Sequence, residues 1–370
     1  MKGLIIWAQS DCRSTMGLYQ EIQKLANFPV VIALWHYSGD KVSSDNRTSV
    51  GFSSEEFKDV RTERIGENFE EGLRLIEHHR GWNHLFCAYQ TSRMMRQLAK
   101  VVNANGDRYG IMSESPCNMK AGFKAFLWEI YIRTKLRLRV RWIIKNADFF
   151  INFSGYDKHN AKILGWKDDK IVPFGYYPPP IEQSNLVSRS INKPFFILST
   201  GILSRYRGAD VLVKALKILK DKNVEYRAVI TQNGELLEYL KDYATKNALP
   251  IEFPGFISMK ELLALYESCS VYVGAGRNEP WGMRLNDALN CGAPLVVSDG
   301  MGGVRMVRDF GCGVSFKRGD SNDLAEKLYM LITSENKYLE CARKVNDAVK
   351  SNAPEEKARM LLQMLRKVWH

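Results

Sequence analysis

The stretch SVYVGAGRNEPWGMRLNDALNCGAPLVVSDG, residues 270–300, decides the fold. SVYVGAG and APLVVSD are apolar on nearly every residue and bracket a helix-like segment over 281–290. Strands that are apolar throughout and separated by helices belong to a parallel sheet covered on both faces. Pro280 suits the first turn of the helix, where its missing N–H is no loss. In open α/β sheets, ligands sit outside the carboxyl ends of the strands. The loop between SVYVGAG and the helix is therefore where chemistry is expected.

Two carboxylates, Glu279 and Asp287, stand eight residues apart across that loop and helix. Eight helical residues rise about 12 Å. An ionised acid accepts two hydrogen bonds from neighbouring hydroxyls. The amides near Gly282 and Met283, at the helix start, favour negative charge, and Gly282 has no side chain to block close approach. Two hydroxyl-binding acids with a diphosphate near the helix start match the span of a nucleotide sugar. The same spacing also arises by chance on solvated helices, so its weight comes from the full run of strand, glycine loop, EPWG, second acid, CGAP and strand.

Working outward, the same alternation fills the chain. Strands are expected at GLIIWA, PVVIALW, HLFCAY, RYGIMS, DFFINFS and KIVPFG, with helices over 16–26, 67–80, 91–103, 120–146 and 155–164. Three prolines at 178–180 and a polar stretch interrupt it and read as a linker. The pattern restarts at FFILSTG, with helices over 207–220, 235–247, 259–268 and 281–290, and the chain ends in a helix from Pro354. The expected organisation is a doubly wound Rossmann-like domain over 1–180, a linker over 181–193, a second such domain over 194–353, and a terminal helix over 354–370 returning toward the first domain. Two such α/β domains imply a cleft between them.

EPWGMRLNDALNCGAPLVVSDGMGG resembles the E-x7-E region of retaining glycosyltransferases of family 4, which have the GT-B fold. The resemblance implies that Glu279 contacts the donor sugar near its reacting carbon, that the backbone of Trp281, Gly282 and Met283 contacts sugar and phosphate, and that Asp287 takes the ribose. STGILSRYRGADVLVKAL resembles the family's G-R-L-x-x-x-K-G stretch after Gly201, where a basic pair clamps the diphosphate. Arg207 stands at the lysine position. Ile202 stands at the arginine position, and Arg205 is the candidate replacement, since arginine binds phosphate bidentately. FPGFISMKELLALYESCSVYV resembles the segment that frames the base, with backbone near Phe256 and Ile257.

The first domain matches the family more thinly. Its first strand and loop, IIWAQSDCRSTMG, carry only Gly17 where relatives place two glycines near phosphate; Ser14 and Thr15 either approach the diphosphate or cap the following helix. No histidine follows the fourth or fifth strand. Gln90, Ser113 and Glu114 are the polar residues at those acceptor-side positions, and Glu114 either holds the acceptor or caps the next segment.

The 370 residues carry a formal net charge of +12 and an apolar share of 45%. That composition is globular, and no apolar run is long enough to span a bilayer. Seven singly spaced cysteines form no CxxC and no metal-ligand pattern, as in a reducing cytoplasm. The basic excess concentrates in 120–146, where Lys120, Lys124, Arg133, Lys135, Arg137, Arg139, Arg141 and Lys145 surround a stripe of Ile132, Leu136, Val140 and Ile143, with Trp128, Tyr131 and Trp142 interleaved. Such a helix is either an interfacial element at anionic lipid or a solvated face. Nucleic-acid binding lacks a recognisable module.

The combined expectation is a cytoplasmic enzyme, either free or peripheral on the cytoplasmic face of the membrane. It would transfer a hexose from a nucleoside diphosphate donor, UDP favoured over GDP, to a glycan or lipid-linked glycan acceptor of bacterial surface polysaccharide or lipopolysaccharide. Retention follows from the resemblance. No metal or cofactor is expected. The alternatives are a non-catalytic sugar-nucleotide-binding protein, or a glycan synthase or phosphorylase of the same fold.

Overall fold

In a computed structural model the chain forms two compact units, Met1–Pro179 with Asn352–His370, and Pro180–Ser351. The structure describes all residues except 10–11, 36–56, 58, 117–122, 156–157, 182–185, 187–188, 191–192 and 370, and the side chains of 123–125. Lys120, the Lys124 side chain and most of the expected linker lie outside the described residues.

Unit 1 is a seven-stranded parallel sheet. Its strands are β1 (Leu4–Ala8), β2 (Val30–Leu34), β3 (Thr62–Arg64), β4 (Asn83–Phe86), β5 (Tyr109–Ser113), β6 (Phe150–Asn152) and β7 (Ile171–Pro173), in the order β3-β2-β1-β4-β5-β6-β7. The order reverses between β1 and β4, the switch point of a doubly wound fold. The central strands are fully buried because helices cover both faces: α1 (Arg13–Leu25), α2 (Phe69–His78), α3 (Arg93–Ala104), α4 (Phe123–Tyr131), α5 (Arg137–Asn146) and α6 (His159–Leu164). Short polar caps start two of them. Asn68 accepts from the amides of Glu70 and Glu71, and Ser92 accepts from Met95 N.

The expected helix over 120–146 comprises α4, a π turn at Ile132–Leu136, and α5. Ile132, Leu136, Val140 and Ile143 are buried, as the stripe requires. Trp128, Tyr131 and Trp142 lie among the cations, with Arg139 Nη1 donating to Tyr131 OH at 3.3 Å, but do not stand free on that surface. They are half-buried against the core of the unit.

Unit 2 repeats the plan with six parallel strands. They are β8 (Phe195–Thr200), β9 (Tyr226–Thr231), β10 (Ile251–Gly255), β11 (Val271–Gly274), β12 (Leu295–Ser298) and β13 (Gly313–Phe316), in the order β10-β9-β8-β11-β12-β13. Its helices are α7 (Ala209–Asp221), α8 (Leu237–Lys246), α9 (Met259–Ser268), α10 (Met283–Asn290), α11 (Val304–Phe310), α12 (Ser321–Thr333) and α13 (Glu335–Ser351). The switch point lies between β8 and β11. Arg189, inside the stretch read as a linker, is strapped to this unit. Its guanidinium donates to the carbonyls of Tyr266, Glu267, Cys291 and Gly292, at the ends of α9 and α10, where a cation complements the helix dipoles.

The last helix, α14 (Pro354–Val368), belongs to unit 1 and packs on α1. Trp369 Nε1 donates to Asp148 Oδ2 at 2.7 Å, Arg108 pairs with both Asp148 oxygens and donates to Val368 O, and Lys357 lies 4.7 Å from the Tyr177 ring centroid.

Candidate donor site at the second switch point

Two loops leave the carboxyl ends of β8 and β11 side by side. The first, 201–208, carries Gly201, Ile202, Arg205 and Arg207. The second, 275–282, carries Arg277, Glu279, Trp281 and Gly282. Their close approach depends on glycine. Gly208 sits at φ +72°, and a Cβ there would stand 1.9 Å from Ala275 O. Gly282 sits at φ +99°, and a Cβ would stand 2.4 Å from the Met301 methyl. Only glycine meets both demands.

Glu279 and Arg207 are brought together as an ion pair, Arg207 Nη1 donating to Glu279 Oε1. The Glu279 side chain is only 10% exposed, so its carboxylate is presented at the rim of the loops and not in bulk water. Its backbone is fixed on both sides: Glu279 N donates to Gly300 O at 2.9 Å and Gly302 N donates to Glu279 O at 3.0 Å. Burial works against the Arg207 charge, but the carboxylate of Glu279 outweighs it and holds the guanidinium above its ordinary range. Arginine has five N–H donors, and one is engaged here.

A second pair, invisible in the sequence, locks the loops. Arg277 donates from both Nη atoms to both oxygens of Asp210 at 2.8 Å, and from Nη1 to Arg205 O. Burial pushes the Asp210 carboxyl up, and the Arg277 bonds pull it further down, leaving it below the ordinary range. Arg277 N also donates to Tyr206 O at 3.0 Å. Sequence separation hides this pair; only the position of Arg277 just after β11 could have signalled it.

The other candidate residues are placed as follows. Trp281 is buried, its Nε1 donating to Asn286 Oδ1 at 2.8 Å, so its indole anchors the first turn of α10. Met283 begins that helix. Asp287 is buried at 1% exposure on α10. Arg205 is exposed on its loop. Phe256, 48% exposed, and the half-buried Ile257 follow β10.

In unit 1, Gly17 is not in a phosphate loop. α1 starts at Arg13, so Gly17 is inside the helix, and a Cβ there would stand 2.7 Å from Pro179 Cδ. Tight packing on Pro179 is the reason for this glycine. The cap is Cys12, and neither Ser14 nor Thr15 fills that place. Gln90, after β4, donates from Nε2 to Glu114 O at 2.7 Å, and Glu114 Oε1 accepts from Tyr176 OH at 2.9 Å. Ser113 ends β5 beside them. Among the described residues no cluster of three His, Cys, Asp or Glu side chains has the arrangement of a metal site.

Residues 182–348 match the family described as Glycosyl transferases group 1. The match falls in unit 2 and contains both loops of the switch point. The chain is 39% identical over 159 residues to a GDP-mannose-dependent alpha-(1-6)-phosphatidylinositol dimannoside mannosyltransferase of Mycobacterium tuberculosis, covering 41% of each protein. It is 28% identical over 182 residues to an uncharacterized glycosyltransferase of Methanocaldococcus jannaschii, covering 45% of this chain and 50% of that protein. The chain thus spans about half the length, or less, of these curated relatives. Among solved structures it is similar to the lipopolysaccharide outer core galactosyltransferase WaaB (TM-score 0.69, 16% identity, 99% of both chains). It is also similar to Anabaena HepE in complex with UDP and glucose (TM-score 0.64, 14% identity, 99% of this chain and 100% of that one). The fold is α/β with two Rossmann-like units, as in GT-B glycosyltransferases.

Proposed function

We propose that the chain is a retaining glycosyltransferase that moves a hexose from a nucleoside diphosphate donor to a glycan or lipid-linked glycan. The observation that carries this reading is the Arg207–Glu279 pair at the switch point of the group 1 domain. Glu279, held by Arg207, accepts hydrogen bonds from the donor sugar. As the bond from the anomeric carbon to the diphosphate oxygen breaks, negative charge grows on the diphosphate. Arg207 has N–H donors left to meet it, which is electrostatic stabilisation without a metal ion. Retention then has the acceptor oxygen bond to the anomeric carbon from the face the diphosphate leaves, its hydroxyl proton passing to the departing diphosphate oxygen. Asp287 is the candidate for the ribose, and because it is buried, α10 must yield to the nucleotide for that contact to form.

The relative from Mycobacterium tuberculosis moves GDP-mannose ahead of UDP-hexoses as the first donor to test. Purified protein incubated with GDP-mannose and with UDP-hexoses, with released nucleotide as the readout, tests the reading. Turnover that survives chelation supports it. Turnover with no sugar nucleotide, or only after magnesium or manganese is restored, contradicts it.

A membrane-bound acceptor is the reading that the surface of α4 and α5 favours. Phe126, Leu127, Ile130 and Leu138 are exposed apolar side chains, Leu138 at 70%. They stand among Lys135, Arg137, Arg139 and Arg141, all exposed. Arg133 is partly offset by Glu129 at 2.6 Å. Apolar tips among cations complement an anionic lipid surface. Among the described residues, no helix is long and apolar enough to cross a membrane. Replacing Arg133, Arg137, Arg139 and Arg141 with Gln should release the protein from anionic vesicles. Equal sedimentation of both proteins sinks this part of the reading.

A further inference from the structure

Arg284 stands on the first turn of α10, two residues after Gly282. Its guanidinium lies over the backbone where β8 ends. A Cβ on Gly201 would stand 2.6 Å from Arg284 Nη1 and 3.6 Å from Cζ. Close by, Thr200 Oγ1 meets the hydroxyls of Tyr266 and Tyr272 at 3.0 and 3.1 Å. Burial raises the pKa of both phenols, and the Arg284 charge works in the opposite direction on each.

Three arginines near Arg284 are engaged: Arg207 with Glu279, Arg277 with Asp210, and Arg318, after β13, with Asn278. Among the described residues Arg284 forms no hydrogen bond or ion pair. The Asp287 carboxylate, one turn on, also acts on Tyr266, but no ion pair joins it to Arg284. A half-buried guanidinium loses part of its hydration, and a site that keeps one without an anion leaves that loss uncompensated until an anion arrives. Here the guanidinium is at the switch point, on the first turn of a helix whose N-terminus adds positive potential. Position 202, next to Gly201, holds an isoleucine and supplies no charge. Arg205 is exposed, and its carbonyl is taken up by Gly208 N and Arg277.

We propose that Arg284, and not Arg205, binds the diphosphate of the donor as the second cation beside Arg207. The proposal rests on the reading of this switch point as a nucleotide-sugar site. A planar fork reaching over Gly201 engages two phosphate oxygens in parallel, and the absence of a side chain at Gly201 leaves the space that fork occupies.

The test is calorimetric titration of the full chain with GDP and UDP, and separately with guanosine and uridine. Arg284→Gln should weaken whichever diphosphate binds by about tenfold to a hundredfold, the loss expected for charge-assisted hydrogen bonds. It should leave the matching nucleoside within about twofold. Arg284→Lys keeps the charge without the fork and should lose about tenfold or less. It also serves if the Gln variant does not fold. Arg205→Gln should stay within about threefold of wild type. Diphosphate binding that is unchanged in both Arg284 variants, or lost only in Arg205→Gln, overturns the assignment. A wild-type protein that binds neither diphosphate overturns the donor site itself, and the role of Arg284 with it.

Discussion

The two units share one doubly wound topology and differ in what the loops at the carboxyl ends of their strands carry. In unit 2 the loops after β8 and β11 bring together Arg207, Glu279, Arg277, Asp210 and Arg284, fixed by two ion pairs. In unit 1 the loops after β4, β5 and β7 present an amide, a carboxylate and a phenol. Gln90 donates to the Glu114 carbonyl, Glu114 accepts from Tyr176, and nearby Trp35 Nε1 donates to Cys87 Sγ at 3.2 Å. Burial pushes the Cys87 thiol up to about 12, so it stays neutral. The first arrangement suits a ligand whose charge changes during reaction. The second suits a ligand recognised by hydroxyl hydrogen bonds. The strand order alone assigns neither role; the side chains in the loops do.

Glu279→Gln should break this contrast most severely. Transfer should fall by about a hundredfold or more, the scale of a positioned electrostatic group, while nucleotide binding persists. Transfer rates together with calorimetric titration separate the two effects, and wild-type transfer by this variant removes Glu279 from the chemistry.

Asp210→Ala leaves Arg277 without its carboxylate. Denaturant unfolding should show a loss of about 1–3 kcal/mol, kept below the full value for a buried pair because Arg277 is about a third exposed. A variant as stable as wild type would mean that the pair does not hold the loops.

In unit 1, His84 is fully buried and accepts from Trp7 Nε1 at 3.0 Å. Burial first, and then the neighbouring His79, push its pKa down to about 3. The unfolded value is about 6.5. Between those values the unfolded chain binds more protons, so stability is complete above about pH 6.5 and is lost as the pH falls toward 3. The slope from this residue is at most about 1.4 kcal/mol per pH unit. His84→Gln keeps an acceptor for Trp7 and should flatten the fall in melting temperature between pH 6.5 and 4. An unchanged slope assigns the acid sensitivity elsewhere.

The smallest effect is expected from Glu114→Gln. It should lower transfer to a glycan acceptor by roughly tenfold or less, on the scale of one charge-assisted hydrogen bond, and leave nucleotide affinity unchanged. A parallel loss of nucleotide affinity would place Glu114 on the donor side and erase the contrast between the units.

The doubly wound order and most strands were legible because buried parallel strands are apolar on every residue. β3, with the sequence TER, was not, since an edge strand needs no apolar face. The places of Glu279 and Arg207 on the loops after β11 and β8 were legible because they stand in compact motifs, although their pairing with each other was not. Arg277–Asp210 was not, because the partners are far apart in sequence and neither stands in a motif. Gly17 was misread because a glycine near the first strand serves a phosphate loop or helix packing equally well, and only Pro179, distant in sequence, distinguishes them. The packing of the aromatic residues of 120–146 on the core was not legible, because a narrow aliphatic stripe understates how much of that helix the core covers.

Hydrogen exchange of the full chain with and without GDP or UDP tests the central claim most directly. The account predicts slowed exchange in 201–208 and 275–287, with little change in the loops after β4 and β5. Unchanged exchange in those two segments, with the nucleotide bound and other segments protected, would contradict it.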